Sequence, residues 1–192
     1  MRGYFGIGAE GISKSMNVGS LFRTAHAFGA SFVFTIDAVY EETEGGLADT
    51  SDAPGHVPFY SFPNRESLLL PKDCSLVGVE LTDDAIDLPS FHHPSRAAYV
   101  MGPERGSLSP ELTERCAFVI KIPTLFCLNV GLAGAIVMYD RTISLGRFAR
   151  RAERPGGPTE SLPEPVFGDP VLRRKLDQYR ASPPAAEPAE GD

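Results

Sequence analysis

The sequence predicts an α/β fold, a mostly parallel sheet with helices on both faces. Two observations carry that expectation. Strand-like and helix-like segments alternate along the chain, the pattern left by parallel strands and their crossover helices. An apolar run, Tyr99-Val100-Met101, stops abruptly in Gly102-Pro103-Glu104-Arg105-Gly106. Such a stop reads as a buried strand ending in a tight turn, because glycine carries no Cβ penalty and proline fixes the next φ. Open α/β sheets bind ligands outside the carboxyl ends of their strands, so this turn is the first place to look for a site.

The elements follow in order. Residues 4 to 7 read as a first strand and residues 17 to 28 as a helix, with Gly29 as its C-terminal stop. Residues 31 to 36 form a β-branched and aromatic second strand, and 40 to 57 a loop rich in glycine and acid. Four more strands are expected at 59 to 62, 76 to 79, 98 to 101 and 118 to 122, with short helices at 64 to 70 and 110 to 115. A last long helix begins at Asn129 and runs to about Arg151. Val130, Ala133, Ile136, Val137, Met138 and Ile143 give it an apolar face. Gly131, Ala133, Gly134 and Ala135 at its start suit close approach of the sheet or of a partner subunit. Residues 1 to 154 then form one domain. From Pro155 the chain turns to Pro, Gly, Glu and Ala, with one helix-capable island at 170 to 180. That tail, 155 to 192, offers too little apolar surface to offset the entropy of ordering it and is expected to be largely flexible.

Composition sets outer limits. At 192 residues, 42% hydrophobic and 22% charged, the chain suits one globular domain with a substantial core. No run approaches the roughly 18 to 20 apolar residues of a membrane span. Met1-Arg2-Gly3-Tyr4 leads into a strand rather than a signal peptide, so a cytoplasmic protein is expected. Cys74, Cys116 and Cys127 show no Cys-x-x-Cys spacing and the four histidines no ligand pattern, so neither disulfides nor a metal are expected.

The net charge of -7 is unevenly spread. Residues 40 to 87 hold eleven acids (Glu41, Glu42, Glu44, Asp49, Asp52, Glu66, Asp73, Glu80, Asp83, Asp84, Asp87) against Arg65 and Lys72, for a local -9. Residues 88 to 154 hold nine bases (Arg96, Arg105, Arg115, Lys121, Arg141, Arg147, Arg150, Arg151, Arg154) against five acids (Glu104, Glu111, Glu114, Asp140, Glu153), for a local +4. Such segregation suits one phosphate-attracting face on an acidic body.

Three motifs converge on a family. They are Asn17-Val18-Gly19-Ser20-Leu21-Phe22-Arg23-Thr24-Ala25, then Met101-Gly102-Pro103-Glu104-Arg105-Gly106, then Ile122-Pro123 followed by Leu128-Asn129-Val130. In this order, each after a strand, they resemble the SPOUT superfamily, in particular its SpoU/TrmH-type RNA ribose 2′-O-methyltransferases, over residues 1 to 152. The resemblance implies a deep trefoil knot near the C-terminal end of the domain, S-adenosylmethionine as cofactor, and a homodimer. It implies an RNA substrate, with tRNA favoured over ribosomal RNA.

Roles carried over by position are as follows. Arg23 engages the 2′-hydroxyl or its neighbouring phosphate, stabilising oxyanion charge rather than acting as a free base, since a guanidinium stays protonated. Asn17 orients that hydroxyl, Glu104 holds Arg23 or the substrate, and Asn129 is a further polar partner. Glu80, Gly102, Ile122, Cys127 and Leu128 are the implied cofactor contacts, largely through backbone groups. Cys127 stands where relatives have an active-site serine, and the loop before it is shortened; a thiol is the weaker hydrogen-bond partner. With no separate RNA-binding domain ahead of the catalytic one, Arg147, Arg150, Arg151 and Arg154 are the expected phosphate contacts.

Two rival readings remain. Gly6-Ile7-Gly8-Ala9-Glu10-Gly11 fits the dinucleotide fingerprint, with Asp37 ending the next strand, although the helix starts late for that motif. A catalytically inert RNA-binding relative is the other, suggested by the short third motif and Cys127.

Overall fold

A computed structural model describes residues 3–39, 56–146, 148 and 156. Its described secondary structure lies within the unit Met1–Arg147. The strands are β1 (Tyr4–Glu10), β2 (Phe32–Ile36), β3 (Phe59–Phe62), β4 (Ser75–Val79), β5 (Ile86–Asp87), β6 (Arg96–Met101) and β7 (Phe118–Lys121). Among the described residues they form one seven-stranded sheet in the order β3-β2-β1-β6-β4-β7-β5, and every pairing is parallel. The helices are α1 (Ser15–Ala27), α2 (Pro110–Arg115) and α3 (Val130–Leu145), with a 3₁₀ turn at Leu88–Ser90.

A parallel sheet must be covered on both faces, and its strands are accordingly apolar throughout. Alternate residues divide between two clusters. Ile7, Val33, Val77, Tyr99, Met101 and Ile120 pack with Val18, Leu21 and Phe22 of α1 and Val137 and Met138 of α3. The opposite face presents Phe32, Phe34, Leu76, Ala98 and Val100 to Leu108, to Leu112 of α2 and to the loop residue Leu68. Helices therefore lie on both faces, with the two long ones together on one side. The small residues near the start of α3 serve that pair: a Cβ on Gly134 would sit 2.6 Å from Leu21 Cδ1, and one on Gly131 2.8 Å from Ser20 Oγ.

The glycine run near the N-terminus is also a packing device. Gly6 and Gly8 lie inside β1, beneath the Phe32 and Phe34 rings, where a Cβ would come within 2.2 Å and 2.6 Å of ring carbons. Gly11, at φ +59°, is the turn residue. Two of the three fingerprint glycines are thus strand residues making room for side chains, not a phosphate-binding turn before a helix.

Several expected elements need correction. The first strand extends to Glu10 and α1 starts at Ser15. Residues 64 to 70 are not a helix but a turn: Asn64 Oδ1 accepts from Ser67 N at 2.9 Å and the Ser67 hydroxyl donates to the Asn64 carbonyl at 2.7 Å, local bonds that compete with a helical ladder. The two-residue strand β5 carries no periodic signal and was not expected. The last helix ends at Leu145, capped by Gly146, rather than near Arg151.

Its buried face also differs. Val130, Gly131, Gly134, Val137, Met138 and Arg141 point inward, whereas Leu132, Ile136, Tyr139 and Ile143 form an exposed stripe. Arg141 is fully buried and donates to the carbonyls of Pro94 (2.6 Å), Ser95 (2.9 Å) and Tyr4 (3.3 Å) and to the Tyr99 hydroxyl (3.1 Å). It ties α3 to the N-terminal ends of β1 and β6. Beside it, His93 bridges Tyr99 OH (2.6 Å) and Asp140 (2.9 Å).

The basic face is reduced accordingly. Besides Arg141, Arg115 donates to the backbone of Arg65 and Leu68, Lys121 to the carbonyls of Thr82 and Asp83, and Arg96 to Asp73. Arg147, Arg150, Arg151 and Arg154, the loop from 40 to 55 and nearly all of the tail lie outside the described residues.

Candidate active site

A cavity of about 390 Å³ opens outside the carboxyl ends of β4, β6 and β7. Val79, Glu80 and Leu81 line it from β4, Met101 to Glu104 from β6, and Ile122, Thr124, Cys127 and Leu128 from the loop after β7. Lys14 and Asn17 contribute from the start of α1, and Asn129, Val130 and Ala133 from the start of α3. All three motifs therefore meet at one place.

A continuous chain of hydrogen bonds joins them. Asn17 Nδ2 donates to Glu104 Oε1 at 2.9 Å, Asn129 Nδ2 donates to Asn17 Oδ1 at 2.9 Å, and Asn129 Oδ1 caps α3 by accepting from Gly131 N at 2.9 Å. Glu104 also accepts from Ser13 N (3.1 Å), Ser13 Oγ (3.1 Å) and Lys14 N (3.0 Å). Burial alone would raise the Glu104 pKa, but these donors outweigh it and hold the carboxyl down to about 2. Glu104 is thus an ionised cap on the amino end of α1, which the helix dipole also favours.

Arg23 lies six residues beyond Asn17, at an exposed position of α1, and is not among the residues lining the cavity. The remaining expected positions do line it: Glu80, Gly102, Ile122, Cys127 and Leu128. Glu80 Oε2 accepts from Leu108 N at 2.8 Å and Oε1 from Leu81 N at 3.1 Å. Gly102 admits no side chain, since a Cβ there would meet Leu108 N at 2.9 Å and Glu80 Oε2 at 3.2 Å. The Thr124 hydroxyl donates to the carbonyls of Ile122 (3.3 Å) and Phe126 (2.9 Å), shaping the short loop, and the Cys127 thiol is exposed.

Residue-by-residue reading missed Lys14, and it missed Glu10. The Glu10 carboxylate is buried and accepts from Ser109 N (2.8 Å), Ser109 Oγ (2.6 Å) and Arg65 Nε. Burial opposes its ionisation, yet the Ser109 and Arg65 bonds prevail and lower its pKa. An acid at the end of a strand was the signal available. Among the described residues, no group of three or more His, Cys, Asp or Glu side chains is placed to hold a metal.

The sequence pattern of the SpoU rRNA Methylase family matches residues 5–139. The chain belongs to that family. An uncharacterized tRNA/rRNA methyltransferase of Archaeoglobus fulgidus is 28% identical over 142 residues, covering 71% of this chain and 63% of its own. The chain thus spans less than two thirds of that relative. The AdoMet-bound rRNA methyltransferase of Sinorhizobium meliloti shares the fold with a TM-score of 0.67 at 19% identity, over 76% of this chain and 58% of that one. A structure concerned with 2-OH methylation of C/U34 on tRNA shares it with a TM-score of 0.65 at 18% identity, over 76% of this chain and 92% of that one. As a SpoU family member the chain is related to RNA methyltransferases, and relatives hold S-adenosylmethionine in this fold.

The residues present suit that cofactor. A cavity of 390 Å³ is within the size range of small-molecule sites. Val79, Leu81, Ile122, Leu128 and Ala133 offer an apolar bed for a purine, and Glu80 and Glu104 favour a cationic sulfonium.

Proposed function

We propose that this protein transfers a methyl group from S-adenosylmethionine to a ribose 2′-hydroxyl of RNA, with transfer RNA as the favoured substrate. The observation that carries this reading is the Glu104–Asn17–Asn129 chain, which joins the three family motifs around one cavity at the strand ends. The cofactor, bound there, supplies an electrophilic methyl group. With the cofactor bound, the 2′-oxygen would take that methyl group as the C–S bond breaks, and its proton would leave to solvent or an RNA phosphate. Glu104, Asn17 and Asn129 are positioning residues, since their polar atoms are occupied by one another and by backbone groups. Arg23, exposed on α1 outside the cavity lining, stabilises oxyanion and phosphate charge once RNA is bound. Glu80, Gly102, Ile122, Cys127 and Leu128 hold the cofactor.

The rest of the reading concerns assembly. The order of the sheet, with β6 between β1 and β4 and β7 between β4 and β5, supports a deep trefoil knot near the C-terminal end of the domain. The exposed stripe Leu132, Ile136, Tyr139 and Ile143 recurs at helical spacing and supports a homodimer packed through α3. Arg147, Arg150, Arg151 and Arg154 contact RNA phosphates. The protein works in the cytoplasm, where its RNA and cofactor meet.

The test is incubation with methyl-labelled S-adenosylmethionine and, in parallel, bulk transfer RNA and ribosomal RNA. Label is expected in transfer RNA, recovered after alkaline hydrolysis in alkali-resistant dinucleotides, because a 2′-O-methyl group blocks cleavage at that ribose. Label in ribosomal RNA alone would shift the substrate. Label on bases would overturn the ribose reading, and cofactor binding without transfer to any RNA would establish an inert relative.

A further inference from the structure

We infer that Lys14 is the anion-binding residue of this cavity, holding a carboxylate or phosphate oxygen beside the reacting centre. The inference rests on the methyltransferase reading and adds a residue to it. Among the described residues, three charged side chains line the cavity: Lys14, Glu80 and Glu104. Both ligands of the proposed reaction bring anions, because the amino-acid part of the cofactor ends in a carboxylate and every nucleotide carries a phosphate. Unless a cation stands among them, either anion would face two carboxylates at close range, an arrangement that costs free energy in a partly buried site.

Several side-chain donors lining the cavity already donate elsewhere, and none of them carries a charge. The Asn17 side-chain amide donates to Glu104 and that of Asn129 to Asn17 Oδ1, and the Ser13 and Lys14 backbone N–H groups donate to Glu104. The Thr124 hydroxyl donates to loop carbonyls, and Arg23 does not line the cavity. The Lys14 ammonium makes no hydrogen bond or ion pair with any other described residue.

Its backbone, by contrast, is fixed. The Lys14 N–H donates to Glu104 Oε1 at 3.0 Å, and its carbonyl accepts from Asn17 N (3.0 Å) and Val18 N (3.3 Å). Lys14 occupies the N-cap of α1 in extended conformation, φ -103° and ψ 113°, and gives the helix no side-chain cap. A mobile cation is therefore anchored at a set point, at a helix end that itself favours negative charge.

The test uses Lys14→Gln and Lys14→Arg in the full chain. Calorimetry measures binding of S-adenosylhomocysteine and of 5′-methylthioadenosine, which lacks the amino-acid part; RNA binding is followed across a salt series. If the anion is the cofactor's carboxylate, Lys14→Gln weakens S-adenosylhomocysteine by about 10- to 100-fold, Lys14→Arg restores most of it, and 5′-methylthioadenosine is unaffected. If it is a phosphate, cofactor affinity stays, RNA affinity falls, and the salt slope decreases by about one. Circular dichroism checks that both variants keep the wild-type fold, as expected for an exposed side chain. Unchanged affinity for both ligands, with an unchanged salt slope, overturns the inference. Wild-type protein that binds no S-adenosylhomocysteine overturns the methyltransferase reading and this inference with it.

Discussion

Replacing Glu104 by Gln tests how the motifs are held together. The carboxylate accepts four hydrogen bonds, from Ser13 N, Ser13 Oγ, Lys14 N and Asn17 Nδ2, and its pKa is held at about 2 against an ordinary 4.5. That difference, at about 1.4 kcal/mol per unit and reduced for partial exposure, corresponds to about 2 to 3 kcal/mol of stability. Glutamine keeps one acceptor oxygen but turns an NH₂ group toward donors, so most of this is lost. Because the folded pKa is depressed, the contribution is complete above the unfolded value near 4.5 and fades as the pH falls through that value toward 2. Urea unfolding followed by circular dichroism at pH 7 should show Glu104→Gln less stable by about 2 to 3 kcal/mol, with the gap narrowing steadily in acid. The variant should also bind cofactor more weakly, since the start of α1 lines the cavity. Equal stability at pH 7, or a gap that does not change between pH 7 and 3, would refute the argument that the ionised carboxylate clamps α1.

Other substitutions address separate links. Gly8→Ala inserts a Cβ against Phe34 and should destabilise by about 1 to 3 kcal/mol by thermal unfolding, while NADH binds neither variant nor wild type; saturable NADH binding would restore the fingerprint reading. Burial lowers the His93 pKa despite Asp140, so between that folded value and 6.5 the unfolded chain binds the extra proton and stability falls as the pH drops below about 6.5. His93→Gln should flatten this part of the stability profile in calorimetric melts from pH 7 to 5. Ile136→Glu places a charge in the exposed stripe of α3 and should shift sedimentation from dimer to monomer, with cofactor affinity largely kept; an unchanged sedimentation coefficient would remove α3 as the interface.

The sheet was largely legible because its signals are local. Apolar runs closed by Gly-Pro, Gly29 after α1 and Asn129 before α3 each report a strand end or a cap within a few residues. The failures share a different cause. Whether Gly6 and Gly8 lie in a turn or under a ring depends on Phe32 and Phe34, more than twenty residues away. Arg141 looks like an ordinary helix-surface base until the carbonyls of Tyr4, Pro94 and Ser95 are brought around it. The apolar residues on α3 looked like one face, yet Ile136 and Ile143 are exposed while the neighbouring Val137 and Met138 are buried. Within the site, the three motifs were legible, but the bonds among Glu104, Asn17 and Asn129 span 87 and 112 residues and have no local trace.

The position of the cavity follows from what fills the neighbouring crevice. In an open parallel sheet the favoured binding place is the gap between strands whose connections run in opposite directions, here β1 and β6. That gap is closed. Glu10, from the end of β1, accepts from Ser109 beyond β6, while Glu104, from the loop after β6, accepts from Ser13, Lys14 and Asn17 after β1. Pro103 covers Gly11 between them. Two carboxylates acting in opposite directions thus bind the β1 and β6 loops to one another beside the glycine run. The open space moves sideways, to the ends of β6, β4 and β7, where Gly102 and Glu80 meet the short loop of Cys127. Glu104 therefore both ties the β1 and β6 loops together and lines the cavity beside them, and a reading based on Gly-x-Gly-x-x-Gly alone selects the wrong end of the crevice.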